Sequence, residues 1–136
     1  MSDPTSFALT GFIAWTLLLL IVMEVIRSKM VVAREVPANG FVPDNANLSP
    51  FMQRLARAHA NCLEGLPIFG GLMLVALVTG RSGLTDPLAP ILLAARVIQS
   101  TIHIASLSNV AVTLRFSAFA VQMAIGAYWC WRLLAG

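Results

Sequence analysis

The sequence predicts an all-α integral membrane protein, a four-transmembrane-helix bundle in a single domain over residues 1–136. Three observations predict it. The chain is 58% hydrophobic and 11% charged, whereas soluble domains are about half apolar and about a quarter charged. Its apolar residues gather into four segments long enough to span a bilayer. Its cations gather around one linker, which is the pattern of membrane orientation. They form no run interleaved with aromatics, so the net charge of +3 implies no nucleic-acid partner.

Segment one, about residues 7–26, reads FALTGFIAWTLLLLIVMEVI. A stretch of about 20 such residues crosses a hydrocarbon core. The preceding MSDPTS has no basic residue, and the apolar run is too long for a signal peptide, so the segment reads as a retained span. Glu24 lies near its end, followed by Arg27 and Lys29 where the chain leaves the membrane.

Residues 30–53 form a linker, with Pro37, Gly40 and Pro43 set among asparagines. Segment two, about 50–79, starts at Ser49 as N-cap and Pro50 in the first turn. Its first half is amphipathic and its second half, PIFGGLMLVALVT, is apolar. Pro67 should kink it, and Gly70 and Gly71 should permit close helix packing. In the following turn, GRSGLTDP, Thr85 is the expected cap and Pro87 the expected opener of segment three.

Segment three, about 88–107, carries Arg96, Gln99 and His103. The link SNVAVT leads to segment four, about 114–134, which places Arg115 in its first turn. Tyr128, Trp129 and Trp131 read as an interfacial aromatic belt. Cys62 and Cys130 sit in apolar surroundings without metal-ligand or disulfide spacing, and no metal is expected. Four spans bring both termini to one side. Arg27, Lys29, Arg34, Arg54 and Arg57 border the first linker, against Arg81 alone in the opposite loop. The 27–57 loop is therefore expected to be cytoplasmic, in a multi-pass protein of the bacterial inner membrane.

The stretch RLARAHANCLEGLPIF, residues 54–69, carries the chemistry. At about 100° per residue, Arg54, Arg57, Asn61 and Glu64 fall within an arc of about 80°, and His59 points elsewhere. Arg96, Gln99 and His103 likewise share one face of segment three. Ionisable groups inside a membrane face a bundle interior or a wet cavity. The two faces and Arg115 therefore predict a cavity open to the cytoplasm. Arginines bind carboxylates, a carboxylate holds an ammonium group, and asparagine donates and accepts. The ligand is expected to be small, zwitterionic and net anionic. Arg96, at mid-span, reads as an ion-pair member with Glu64 as its candidate partner.

Arg54, Arg57, Ala58, Asn61, Glu64, Pro67 and Phe69 together resemble the signature of the MAPEG family, the membrane-associated proteins of eicosanoid and glutathione metabolism. NCxExxPIF is similar to the branch of microsomal glutathione transferases and leukotriene C synthase. The resemblance implies homotrimers of four-helix subunits that bind glutathione between subunits near the cytoplasmic face. It implies glutathione contacts at Arg57, Asn61 and Glu64, with Arg27 (or Lys29) at the end of the first helix, and His103 in the third. It implies Arg115 as the catalytic activator of the thiol.

The implied activity is membrane-bound glutathione transfer, with a peroxidase side activity. Glutathione is the co-substrate, and the other substrate is a lipophilic electrophile arriving from the bilayer. Gln99 and His103 stand where relatives often have tyrosine or histidine, and Gly65 stands where some have tyrosine. Two other readings stay open: a small multidrug-type transporter centred on Glu24, and a family member that binds glutathione without catalysis.

Overall fold

The computed structural model describes residues 3–136, so Met1 and Ser2, at the start of the expected domain, lie outside the described residues. The secondary structure is helical: α1 (Pro4–Val32), α2 (Pro50–Gly65), a π-helical turn (Leu66–Gly70), α3 (Gly71–Val78), a short α4 (Ser82–Thr85), α5 (Ala89–Ala105) and α6 (Asn109–Ala135). α1, the continuous rod Pro50–Val78 and α6 are long and apolar enough to cross a membrane, and α5 is a shorter apolar helix.

Local chemistry explains where the helices begin. Asp3 accepts from the backbone amides of Thr5 and Ser6 at 2.8 and 3.3 Å, which starts α1 three residues ahead of the expected span. Ser49 caps α2 as expected, accepting from the Met52 amide at 3.3 Å with Pro50 in the first turn. The cap expected before α5 is absent. Thr85 instead bonds the Thr5 hydroxyl at 2.6 Å, and Pro90 rather than Pro87 sits in the first turn of α5. Ser108 accepts from the Ala111 amide at 3.2 Å, so α6 starts at Asn109, not near residue 114. The expected link SNVAVT is thus mostly helix.

Pro67 does not break its rod. It has no N–H to donate, and the chain absorbs the loss by widening to a π turn over Leu66–Gly70. Lipid tails are as apolar as leucine, so contact and close approach hold such helices together. A Cβ on Gly11 would fall 2.7 Å from Leu93 Cδ2, so α1 and α5 meet at that glycine. Gly70 likewise lies against Leu9 of α1, but Gly71 faces open space and takes no part in packing.

α5 is the central element and packs on α1, α2 and α6. At one end Phe12, Phe69, Met73, Leu92 and Trp129 form an apolar core. Towards the other, Leu19, Met23, Met52, Leu55 and Cys62 form a second. The inner face of α5 carries Arg96, Gln99, Ser100 and His103, all buried. The outer face of α1 leaves Ile13, Leu17, Leu18, Ile21 and Val25 exposed, as a lipid-facing surface requires.

Candidate functional site

A cavity of about 460 Å³ opens between α2, α5 and α6. α2 contributes Arg57, Asn61 and Glu64 to its lining, α5 contributes Gln99 and His103, and α6 contributes Arg115, Phe116 and Phe119. Arg57, Asn61 and Glu64 of the stripe expected on α2 therefore face Gln99 and His103 of α5 across one space, while Arg54 and Arg96 are outside the lining. Among the described residues, Arg57, Asn61 and Glu64 make no side-chain hydrogen bond or ion pair, and the recorded ion pair is Arg27–Glu24 at 3.1 Å.

Two nitrogens of the lining, His103 Nε2 and Arg115 Nη1, are buried without a partner. Buried polar groups are normally satisfied, and these two nitrogens keep hydrogen-bonding capacity that their own chain does not use. Gln99 is held in place by Gln122, whose Nε2 donates to Gln99 Oε1 at 2.8 Å. Gln122 was not among the expected site residues. Its signal was present, because it is a long polar side chain inside the otherwise apolar SAFAVQMAIG.

Other expected residues lie elsewhere. Arg27 is outside the cavity lining. Its guanidinium donates to Asn45 Oδ1, to the Val42 carbonyl at 3.1 Å and to Glu24 Oε1 at 3.1 Å, and it lies over the Phe41 ring. It clasps the linker onto α1. Arg54 donates from Nε to the Ile104 carbonyl at 2.7 Å and ties α2 to the end of α5. His59 is off the cavity, as its angle on the helix predicted.

Arg115 lies in the second turn of α6 rather than the first, because Ser108 starts the helix early. The helix dipole acts within the first turn, so little of it reaches this guanidinium. The Arg96–Glu64 ion pair does not form. Arg96 is fully buried and no nitrogen of its guanidinium has a hydrogen-bond partner. It is enclosed by rings, with Phe12 at 5.3 Å and Phe119 at 5.8 Å from the guanidinium carbon.

A second, apolar groove of about 350 Å³ adjoins the polar cavity. Ile68, Phe69, Leu72, Met123, Gly126 and Cys130 line it, and it shares Asn61, Glu64 and Phe119 with the cavity. The polar end of one space thus meets the apolar end of another at three residues. Such an arrangement can hold a charged, hydrogen-bonding molecule beside a greasy one. Among the described residues no group of acidic, histidine or cysteine side chains could hold a metal ion.

The comparisons with known proteins agree with this architecture. A family model described as the MAPEG family matches residues 5–135. No curated protein and no solved structure gives a significant match. The family match runs through every helix that builds the cavity, and the helices are those of a membrane protein. The chain therefore belongs to the MAPEG family, most of whose members are glutathione-dependent membrane enzymes.

Proposed function

We propose that the protein is a membrane-bound glutathione transferase of the branch that includes the microsomal transferases and leukotriene C synthase, with a side activity on peroxides. One observation carries the reading: a polar cavity with unpartnered Arg57, Asn61 and Glu64 opens into an apolar groove through shared walls. Glutathione has two carboxylates, one ammonium group and a thiol. In this reading Glu64 meets the ammonium group, while Arg57 and Asn61 hold a carboxylate and the peptide backbone. Arg115 stands by the sulfur. A free thiol titrates near pH 8.5, so a nearby guanidinium is needed to make it a thiolate at neutral pH. The thiolate, its proton released to water, then attacks an electrophilic carbon of a lipophilic molecule in the groove and expels the leaving group as an anion. With a peroxide it takes one oxygen as the O–O bond breaks, and the departing alkoxide picks up a proton. The resulting sulfenic acid condenses with a second glutathione to give the disulfide and water.

Arg57 and Glu64 are exposed on the single chain, within a rod long and apolar enough to cross a membrane. That exposure supports a homotrimer in which another copy covers the cavity. Arg27 is already engaged within its own chain, so any ligand contact from it would be made across that interface. The transporter reading has less support, because its central residue, Glu24, is 52% exposed and paired with Arg27 away from the cavity.

The test is calorimetry of glutathione binding to Glu64→Gln in detergent. The variant removes the anion and keeps the shape. A charged hydrogen bond contributes about 1.5–3 kcal/mol, so affinity should fall by about tenfold to over a hundredfold. Unchanged affinity in the folded variant removes Glu64 from the site.

A further inference from the structure

Arg96 is the least explained side chain in the bundle. It is fully buried, and its Nε, Nη1 and Nη2 all lack acceptors. Its own chain surrounds it, so no neighbouring molecule reaches it with a counter-charge. The helix next to it is shaped for it: a Cβ at Gly65 would fall 2.9 Å from Arg96 Nη2. Burying this guanidinium without a counter-charge is a cost to the fold. Removing an unpaired charge to the interior is costly, and replacing buried ions by apolar side chains of similar volume is often neutral or stabilising. The two rings beside the guanidinium offset part of that cost, and none of its hydrogen-bonding capacity is used.

Its position relates it to the polar cavity. The Phe119 ring lies under the Arg96 guanidinium, 5.8 Å from its carbon, and also lines the cavity. Gly65, against Nη2, directly follows Glu64 of the lining. Gln99, one turn along α5, is in the lining itself. Arg96 is therefore a charge one side chain behind the wall, in a medium that screens poorly. We propose that Arg96 is a positioning residue whose fixed charge holds the thiol bound in the cavity in its anionic form, a role that rests on the glutathione reading above.

The other titratable groups around that space are Arg57, Cys62 and Glu64 on α2, His103 on α5 and Arg115 on α6, while α1 presents Phe12 and Thr16. Cys62 Sγ is bonded to Ser100 Oγ at 3.1 Å and lies beside the Arg96 guanidinium, a neutral thiol that supplies no counter-charge. Glu64 opposes the effect and Arg57 and Arg115 reinforce it. Their contributions stay constant when Arg96 alone is changed.

The experiment compares wild type, Arg96→Met and Arg96→Lys as full chains in detergent. It measures thermal stability, and the ultraviolet absorbance of the thiolate against pH in the glutathione complex. A charge about 10 Å away through an effective dielectric constant of about 20 moves a pKa by about one unit. Arg96→Met should therefore raise the thiolate midpoint by about one unit, and Arg96→Lys should restore most of it. Arg96→Met should melt at or above the wild-type temperature. Its turnover deficit should be about tenfold near neutral pH and should close as the pH rises past the new midpoint. A stable Arg96→Met protein with an unmoved midpoint overturns the proposal and leaves the glutathione reading intact. An Arg96→Met protein that melts lower, or does not fold, also overturns it, because the charge would then be structural. Wild-type protein that binds no glutathione removes both.

Discussion

Arg115 and His103 each bring an unpartnered nitrogen to the same cavity, and chemistry separates them. A guanidinium favours the thiolate by charge alone, and a neutral imidazole would take the proton. If Arg115 is the activator, Arg115→Ala should lower kcat with an aryl halide by about tenfold to a hundredfold and change the apparent constant for glutathione much less. Losing the cation raises the thiol pKa, so the deficit should shrink as the pH increases. A variant with wild-type turnover and titration, set beside a His103→Ala protein that has lost both, would hand the role to His103. The spacing of Arg57, Asn61 and Glu64 was legible because a regular helix fixes the angles between them. The position of Arg27 was not. It depends on Asn45, which adopts a left-handed backbone (φ 57°) and donates to the Met52 carbonyl at 2.8 Å. That is a tertiary arrangement without periodicity.

Among the helices, those with side-chain caps at their starts show how far local signals reach. Ser49 and Pro50 marked α2 correctly, because capping is decided within four residues. Ser108 carries the same signal, but the apolar run that follows it reads as starting near Leu114, which puts Arg115 in the first turn of α6 instead of the second. Pro67 was legible as a disturbance but not as a π turn, since a kink and a widened turn both satisfy a missing N–H. The π turn sets the angular relation between α2 and α3. Phe69, Met73 and Ala76 face the core only with it in place. Inserting one alanine after Gly71, beyond that turn, should rotate the rest of α3 by about 100° and carry Met73 and Ala76 off the core. The cost should be several kcal/mol, on the scale of about 2–5 kcal/mol for losing one large core side chain. Ile68→Ala, at a 60% exposed residue of that turn, should be near neutral, within about 0.5 kcal/mol. Thermal unfolding of the two variants in detergent reads the difference, and equal melting points would show that α3 tolerates any rotation.

At the scale of the whole molecule, the proposed function makes the chain one subunit of a trimer. α1, the Pro50–Val78 rod and α6 present apolar outer surfaces, while Arg57 and Glu64 stand exposed beside the cavity. A trimer that covers them should survive in mild detergent, and native mass spectrometry should record three chains; monomers or dimers alone would sink it. Phe119, Asn61 and Glu64 line both compartments, so in the proposed function a space for a water-borne molecule and a space for one dissolved in the bilayer share one edge. Two reagents with no common solvent would thus meet in contact at that edge. For one of them the relevant concentration is counted per litre. For the other it is counted per lipid molecule. Diluting the membrane with empty bilayer or micelle would starve the groove while the cavity stays full, so such a catalyst answers to the area of its membrane as much as to the volume of its cell.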